Sequence, residues 1–179
     1  MDKSIGPEFS RPLEVARIRG EEEIFEITAK PAERAALVAR FGLHTLDRLA
    51  ATVRVQRIPG GMIRLQAELD ADVAQACVLT LDPVPVKLAE RFTLLYSEDS
   101  EASEVTLDGA AEPVEPIVGG VIDLGEAVAQ QLSLALDPFP RAPNAAQPGR
   151  ETASEALAAP THSPFQALAA LRSKNDSKA

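Results

Sequence analysis

Few side chains in this sequence are of the kinds that make and break bonds: one cysteine, Cys77, and two histidines, His44 and His162. A nucleophilic site needs a thiol or hydroxyl beside a base that a third group orients, and a zinc site needs several thiolates or imidazoles. Neither histidine stands at a triad or ligand spacing, and a lone thiol forms no internal disulfide. Cys77 falls on an expected half-buried strand and reads as a small packed hydrophobe. Gly60-Gly61 and Gly119-Gly120 read as turn glycines, because no GxGxxG or GKS/GKT phosphate loop occurs. The chemistry left is ionic. Arg54, Arg57 and Arg64 form the densest basic cluster and are candidate RNA-binding residues, with a solvated sheet surface as the other reading. Six Phe, one Tyr and no Trp leave few aromatics for base stacking, which favours the solvated surface. No catalytic residue, metal site, cofactor or small-molecule substrate is expected, so the chain does not read as an enzyme.

The elements that would carry these residues follow from periodicity. Residues 8–18 and 22–28 read as two short strands joined at Arg19-Gly20. Pro31 opens a helix whose apolar positions Ala35, Leu37, Val38 and Phe41 precede Gly42, a left-handed cap. A long hairpin follows: Leu49, Ala51, Val53 and Val55 alternate with polar residues, Pro59-Gly60-Gly61 turns the chain, and Ile63 to Val73 alternate again. Folding about Gly60 sets Gln56 by Arg64 and Arg54 by Gln66. A further strand runs from Val86 to Tyr96 after a turn at Asp82-Pro83-Val84-Pro85. The expected fold class is α+β: an antiparallel meander of about five strands with two or three helices on one face.

Charge is placed unevenly. Between Arg91 and Arg141 there is no Lys or Arg, while ten acids lie there, leaving 17 acids against 18 bases elsewhere in a chain of net charge −9. Residues 97–120, rich in acids, Pro and Gly, read as a long mobile loop. Its Glu98, Asp99, Glu101 and Glu104 are candidate partner contacts, or else a solubilising loop. A helix then starts at Asp123, whose carboxylate caps it, with Glu126 reaching back to the cap amide. Leu124, Val128, Leu132 and Ala135 form its stripe, widened by Leu134 and Leu136, and Asp137-Pro138 ends it. Residues 142–162 read as a disordered linker, and 163–174 as a short helix with an apolar edge of Phe165, Leu168 and Leu171. That edge either docks on the domain of residues 1–141 or binds a partner helix-in-groove. No apolar run spans a bilayer and the N-terminus lacks a signal-peptide pattern, so a soluble, cytoplasmic protein is expected.

Three stretches, VAQACVLTLDPVPV, EPVEPIVGGVIDLGEAVAQQLSLALDPFPRAP and SPFQALAALRSK, together resemble the YceD family of large ribosomal RNA subunit accumulation proteins. The resemblance implies a non-enzymatic factor in ribosome biogenesis. It would promote accumulation or processing of large-subunit ribosomal RNA by binding pre-ribosomal RNA or a basic large-subunit ribosomal protein. Many members carry a second cysteine three residues after the first and some have more beyond the helix; here those positions hold Thr80 and a cysteine-free segment, so no metal site is carried over. The alternative is a cytoplasmic protein-interaction adaptor with no ribosomal role.

Overall fold

The computed structural model describes residues 6–99, 104–107 and 110–145, with backbone alone at 104–107 and 110–112. The expected helix at 163–174 and most of the expected linker at 142–162 lie outside the described residues. In chain order the elements are β1 (Pro12–Glu14), a 3-10 turn (Val15–Arg17), β2 (Glu23–Thr28), α1 (Pro31–Phe41), β3 (Thr45–Arg57), β4 (Ile63–Ala76), β5 (Pro83–Ser97), β6 (Glu104–Leu107), β7 (Ala110–Pro116), β8 (Val121–Asp123) and α2 (Leu124–Ala135). β2 to β7 form one six-stranded sheet in the order β2-β3-β4-β5-β7-β6, and β1 pairs with β8 in a separate two-stranded ladder. The class is α+β, as expected.

The β3–β4 hairpin is the centre of the sheet. Leu49, Ala51, Val53 and Val55 on β3 and Ile63, Leu65, Ala67, Leu69, Ala71 and Val73 on β4 are all buried. The two-residue side-chain repeat of a strand puts every one of them on the same face. Gln56 pairs with Arg64 and Arg54 with Gln66, the register the sequence implies. Near its start β3 carries a bulge between Leu46 and Arg48. The extra residue, Asp47, lets Leu46 and Leu49 both point inward although they are three apart.

Helices cover that apolar face. α1 seats Leu37 fully in the core and ends at Gly42, whose φ of 64° is the left-handed cap. Arg34 fastens it to the sheet by donating to the carbonyls of Leu46 and Ala29. α2 buries Leu124, Ala127, Val128, Ala129 and Leu132. Leu134, expected to widen the stripe, is instead 76% exposed, because only the rows continuous with Val128 and Leu132 face the core.

Asp123 joins distant parts of the chain. Its carboxylate accepts from the amides of Gly125 and Glu126, capping α2, and from the amide of Arg11 and the hydroxyl of Ser10. Glu126 does not reach back to the cap amide as expected. It forms a bidentate pair with Arg40 at 2.8 and 2.9 Å, and the same guanidinium bonds Glu8 at 2.9 Å. The N-terminal segment, the end of α1 and the start of α2 are thereby tied at one point.

Three elements differ from the sequence reading. Residues 12–14 pair with β8 and not with 22–28, since Leu13 needs the cover of Ile122 and both are buried. The turn expected at residues 82–85 sits earlier, at 77–82, and Pro83 already pairs with Ala76. Residues 97–120, expected to be loop throughout, contain β6 and β7, with β7 parallel to β5 at Leu95–Val114, Tyr96–Glu115 and Ser97–Pro116.

Gly125 tests the α2 junction. A Cβ there would lie 2.3 Å from the Phe9 carbonyl oxygen, a backbone atom with no rotamer to escape into. Gly125→Ala is expected to lower stability in urea unfolding by about 1–3 kcal/mol, overriding the ~1 kcal/mol that alanine gains in a helix. An unchanged or raised midpoint would mean that the Phe9 segment is not seated as described.

A second test uses pH. Glu33 receives two bonds from Arg11, at 2.9 and 3.0 Å, and one from the Lys30 amide at 2.7 Å. These hold its carboxyl below the ordinary 4.5, the Arg11 bonds contributing most. A depressed carboxyl pKa stabilises the fold above the unfolded value and the gain fades as pH falls through the folded one. Stability is therefore expected to decline below about pH 4.5 more steeply in the native protein than in Glu33→Gln, as read by unfolding at stepped pH.

Candidate functional site

The sheet face away from the helices carries polar side chains on β3, β4 and β5. Arg54 and Arg64 both project there, one register step apart, but Arg57 does not. Arg57 pairs with Ile63, on the buried side, and its guanidinium donates to the carbonyls of Val15 at 3.3 Å and Gly61 at 3.5 Å. The expected three-arginine cluster is thus two arginines and a strut. The spacing held this information, since an offset of three along a strand changes face.

Arg91, not singled out in the sequence, takes the third place. It lies opposite Glu68 in the β4–β5 register, and Glu68 receives Arg54 at 3.6 Å and Arg91 at 3.5 Å from either side. Gln66 and Thr93 complete a shallow depression of about 250 Å³ around these charges. Farther along the same face Lys87 pairs with Asp72 at 2.9 Å. Exposed pairs of this kind are worth little to stability. They do decide the surface charge: the β5 cations are each met by a β4 carboxylate, while Arg64 has no ion pair among the described residues.

The acidic contacts gather at the far side of β5. Glu98 and Asp99 follow its end and are exposed, and Glu115 stands on β7 beside Tyr96. Tyr96 is buried, and burial together with the facing Glu115 carboxylate pushes its hydroxyl pKa well above the ordinary range. Glu104 opens β6, its side chain outside the description; Glu101, Phe165, Leu168, Leu171 and His162 lie outside the described residues.

Cys77 ends β4 and meets the chain that leaves α2. Its sulfur accepts from the Ala142 amide at 3.3 Å, while Val78 donates to the Pro140 carbonyl. Gln75 and Asp137 close the same seam through a side chain to backbone pair. The turn beyond holds Leu81 at a φ of 63°, strained for a leucine. His44 bonds the Leu81 carbonyl at 3.0 Å. Cys77 is buried, as expected of a packed residue, yet it lies just beneath the surface. The Ala142 amide and then the Thr80 hydroxyl draw its pKa down to about 7. Among the described residues no group of three or more His, Cys, Asp or Glu is placed to hold a metal ion.

A depressed thiol pKa stabilises the fold increasingly as pH rises from the folded toward the unfolded value. The native protein is expected to gain stability over Cys77→Ser between about pH 7 and 9, measured by thermal unfolding. A constant difference across that range would show that Ala142 does not stabilise the thiolate.

The described residues therefore make up an α+β domain with one helix-covered sheet face and one charged, open face. Residues 65–172 match the model of the large ribosomal RNA subunit accumulation protein YceD, and the chain belongs to that family. No curated protein and no solved structure matches it. The match begins within β4 and takes in β5, the acidic strands, α2 and the Cys77 seam, and it leaves out Arg54, Arg57 and Arg64. No helix among the described residues is long and apolar enough to cross a membrane.

Proposed function

We propose that this protein is a non-enzymatic, cytoplasmic ribosome-biogenesis factor that promotes accumulation of large-subunit ribosomal RNA by holding a basic large-subunit ribosomal protein. The family supplies the tie to large-subunit RNA. The observation that carries the choice of partner is the charge of the family-matched part. Between Arg91 and Arg141 it has ten acids and no base, and Lys87 and Arg91 themselves are met by Asp72 and Glu68. Negative potential steers a cationic protein inward and opposes a polyanion. Direct binding of pre-ribosomal RNA through Arg54, Arg64 and Arg91 is the second reading, favoured by the lack of an ion pair at Arg64 among the described residues.

Sedimentation of lysate, with the protein followed by antibody, separates the two. Co-migration with large-subunit precursors is expected and is lost at high salt, because screening shortens the reach of surface charge. Neutralising Glu98, Asp99 and Glu115 together is expected to weaken the association about ten- to a hundredfold, at roughly 1 kcal/mol or less per contact charge, and to lower mature large-subunit RNA. Reversing Arg54 and Arg64 to Glu is expected to leave both unchanged. The opposite pattern would move the contact to the arginine face and to RNA.

A further inference from the structure

The outer edge of β5 is longer than the strand that covers it. β5 has 15 residues, yet β7 pairs with it only at Leu95, Tyr96 and Ser97. Below Val114 the chain of β7 reaches Pro113, which has no N–H to donate, and β7 pairs there with β6 instead. No described strand meets the β5 edge from 83 to 94. Pro83 and Pro85 lack amides as well, so the part able to accept another strand runs from 86 to 94. A ladder with β4 satisfies only one side of these peptides, and the other side is a template for pairing.

Side chains along this edge favour one kind of occupant. On the helix side Val86, Leu88, Phe92 and Leu94 are half-buried and Glu90 is exposed. Glu90, Arg91 and Phe92 of β5 with Gln131, Ala135 and the exposed Leu134 of α2 line one depression of about 400 Å³. On the other side Lys87 pairs with Asp72, and Arg91 shares Glu68 with Arg54. Glu90 has no ion pair among the described residues, and Glu98 and Glu115 extend the negative charge past the upper end of the strand. Glu90 shares the helix side with Leu88 and Phe92, so a segment fits both features when the residues of one strand face are apolar with one Lys or Arg among them.

We propose that residues 86–94 of β5 take up an extended, basic segment of a protein partner as an added strand, with apolar side chains of the segment against Phe92 and Leu134 and a cation at Glu90. This rests on the reading of a basic protein partner given above and names how that partner is held.

Hydrogen–deuterium exchange on the full-length protein tests it, with the synthetic peptide Thr-Val-Thr-Lys-Thr-Val-Thr, which sets its Val and Lys side chains on one strand face, as the probe. About every second amide in 86–94 is expected to slow at least ~10-fold on addition of the peptide. The same peptide N-methylated at alternate amides, which keeps its charge but cannot pair, is expected to give no protection. Glu90→Lys, at an exposed position and with an unchanged circular dichroism spectrum, is expected to weaken the peptide about fivefold or more. Equal protection by the N-methylated peptide or by one with Glu in place of its Lys overturns the proposal. So does protection that grows with protein concentration alone, which assigns the edge to a second copy, or protection by a single-stranded RNA oligonucleotide. The two readings fail separately: an unprotected edge beside an intact acid-dependent association with large-subunit precursors excludes this edge and leaves the function standing.

Discussion

One carboxylate, Asp123, holds together parts of the chain that local sequence would leave apart. It accepts four bonds, two from the first turn of α2 and two from Ser10 and Arg11. Charge-assisted bonds to backbone amides are the stronger kind, and removing their acceptor would orphan donors at a partly buried helix start. Because Asp123 is also the last residue of β8, the same side chain sets the β1–β8 ladder against α2. The backbone of Phe9 then lies so close to α2 that only glycine fits at 125. Arg40, bridging Glu8 and Glu126, fastens α1 to this junction. The cover of the sheet is thus one unit, and among the described residues no strand pairs with the β5 edge at 86–94 and no helix covers the opposite face.

That asymmetry relates the fold to its proposed use. A sheet with one covered face presents two resources, a polar face and an edge, and here they differ in charge. On the face, Asp72 pairs with Lys87 of β5, and Glu68 is shared between Arg91 and Arg54. Beyond the edge, the chain from residue 92 to 140 supplies acids only. A binding surface of this form attracts a cationic chain at long range and can fix it by backbone pairing at short range. No reactive side chain is needed for either step.

The central hairpin was legible from Leu49 to Val73, though not the bulge at the start of β3. Period two along β3 and β4 fixes the buried row, and the glycine pair at 60–61 fixes the register to the residue. Gly42 and Asp123 were legible as caps because a cap is a local bond. What the sequence hid were interactions decided at a distance. β1 is three residues long and acquires meaning only from Ile122, more than a hundred positions away. Glu126 offers a plausible local bond, and the two-pronged fork of Arg40 outcompetes it. Residues 110–116 have a loop composition, yet pairing with β6 at 110–113 and with β5 at 114–116 makes a strand of them. For the site, Arg57 was misplaced against a periodicity that already separated it from Arg54. Arg91 was invisible because its tie to Arg54 passes through Glu68, which only the β4–β5 register brings between them.

The most direct measurement of the account is zero-length carbodiimide crosslinking, carboxylate to lysine, in lysate fractions holding large-subunit precursors, read by mass spectrometry. The account predicts links from Glu90, Glu98, Asp99 or Glu115 to lysines of one extended segment of a large-subunit ribosomal protein. Ultraviolet crosslinks from the Arg54–Arg64–Arg91 face to ribosomal RNA, with those carboxylates unlinked, would contradict it.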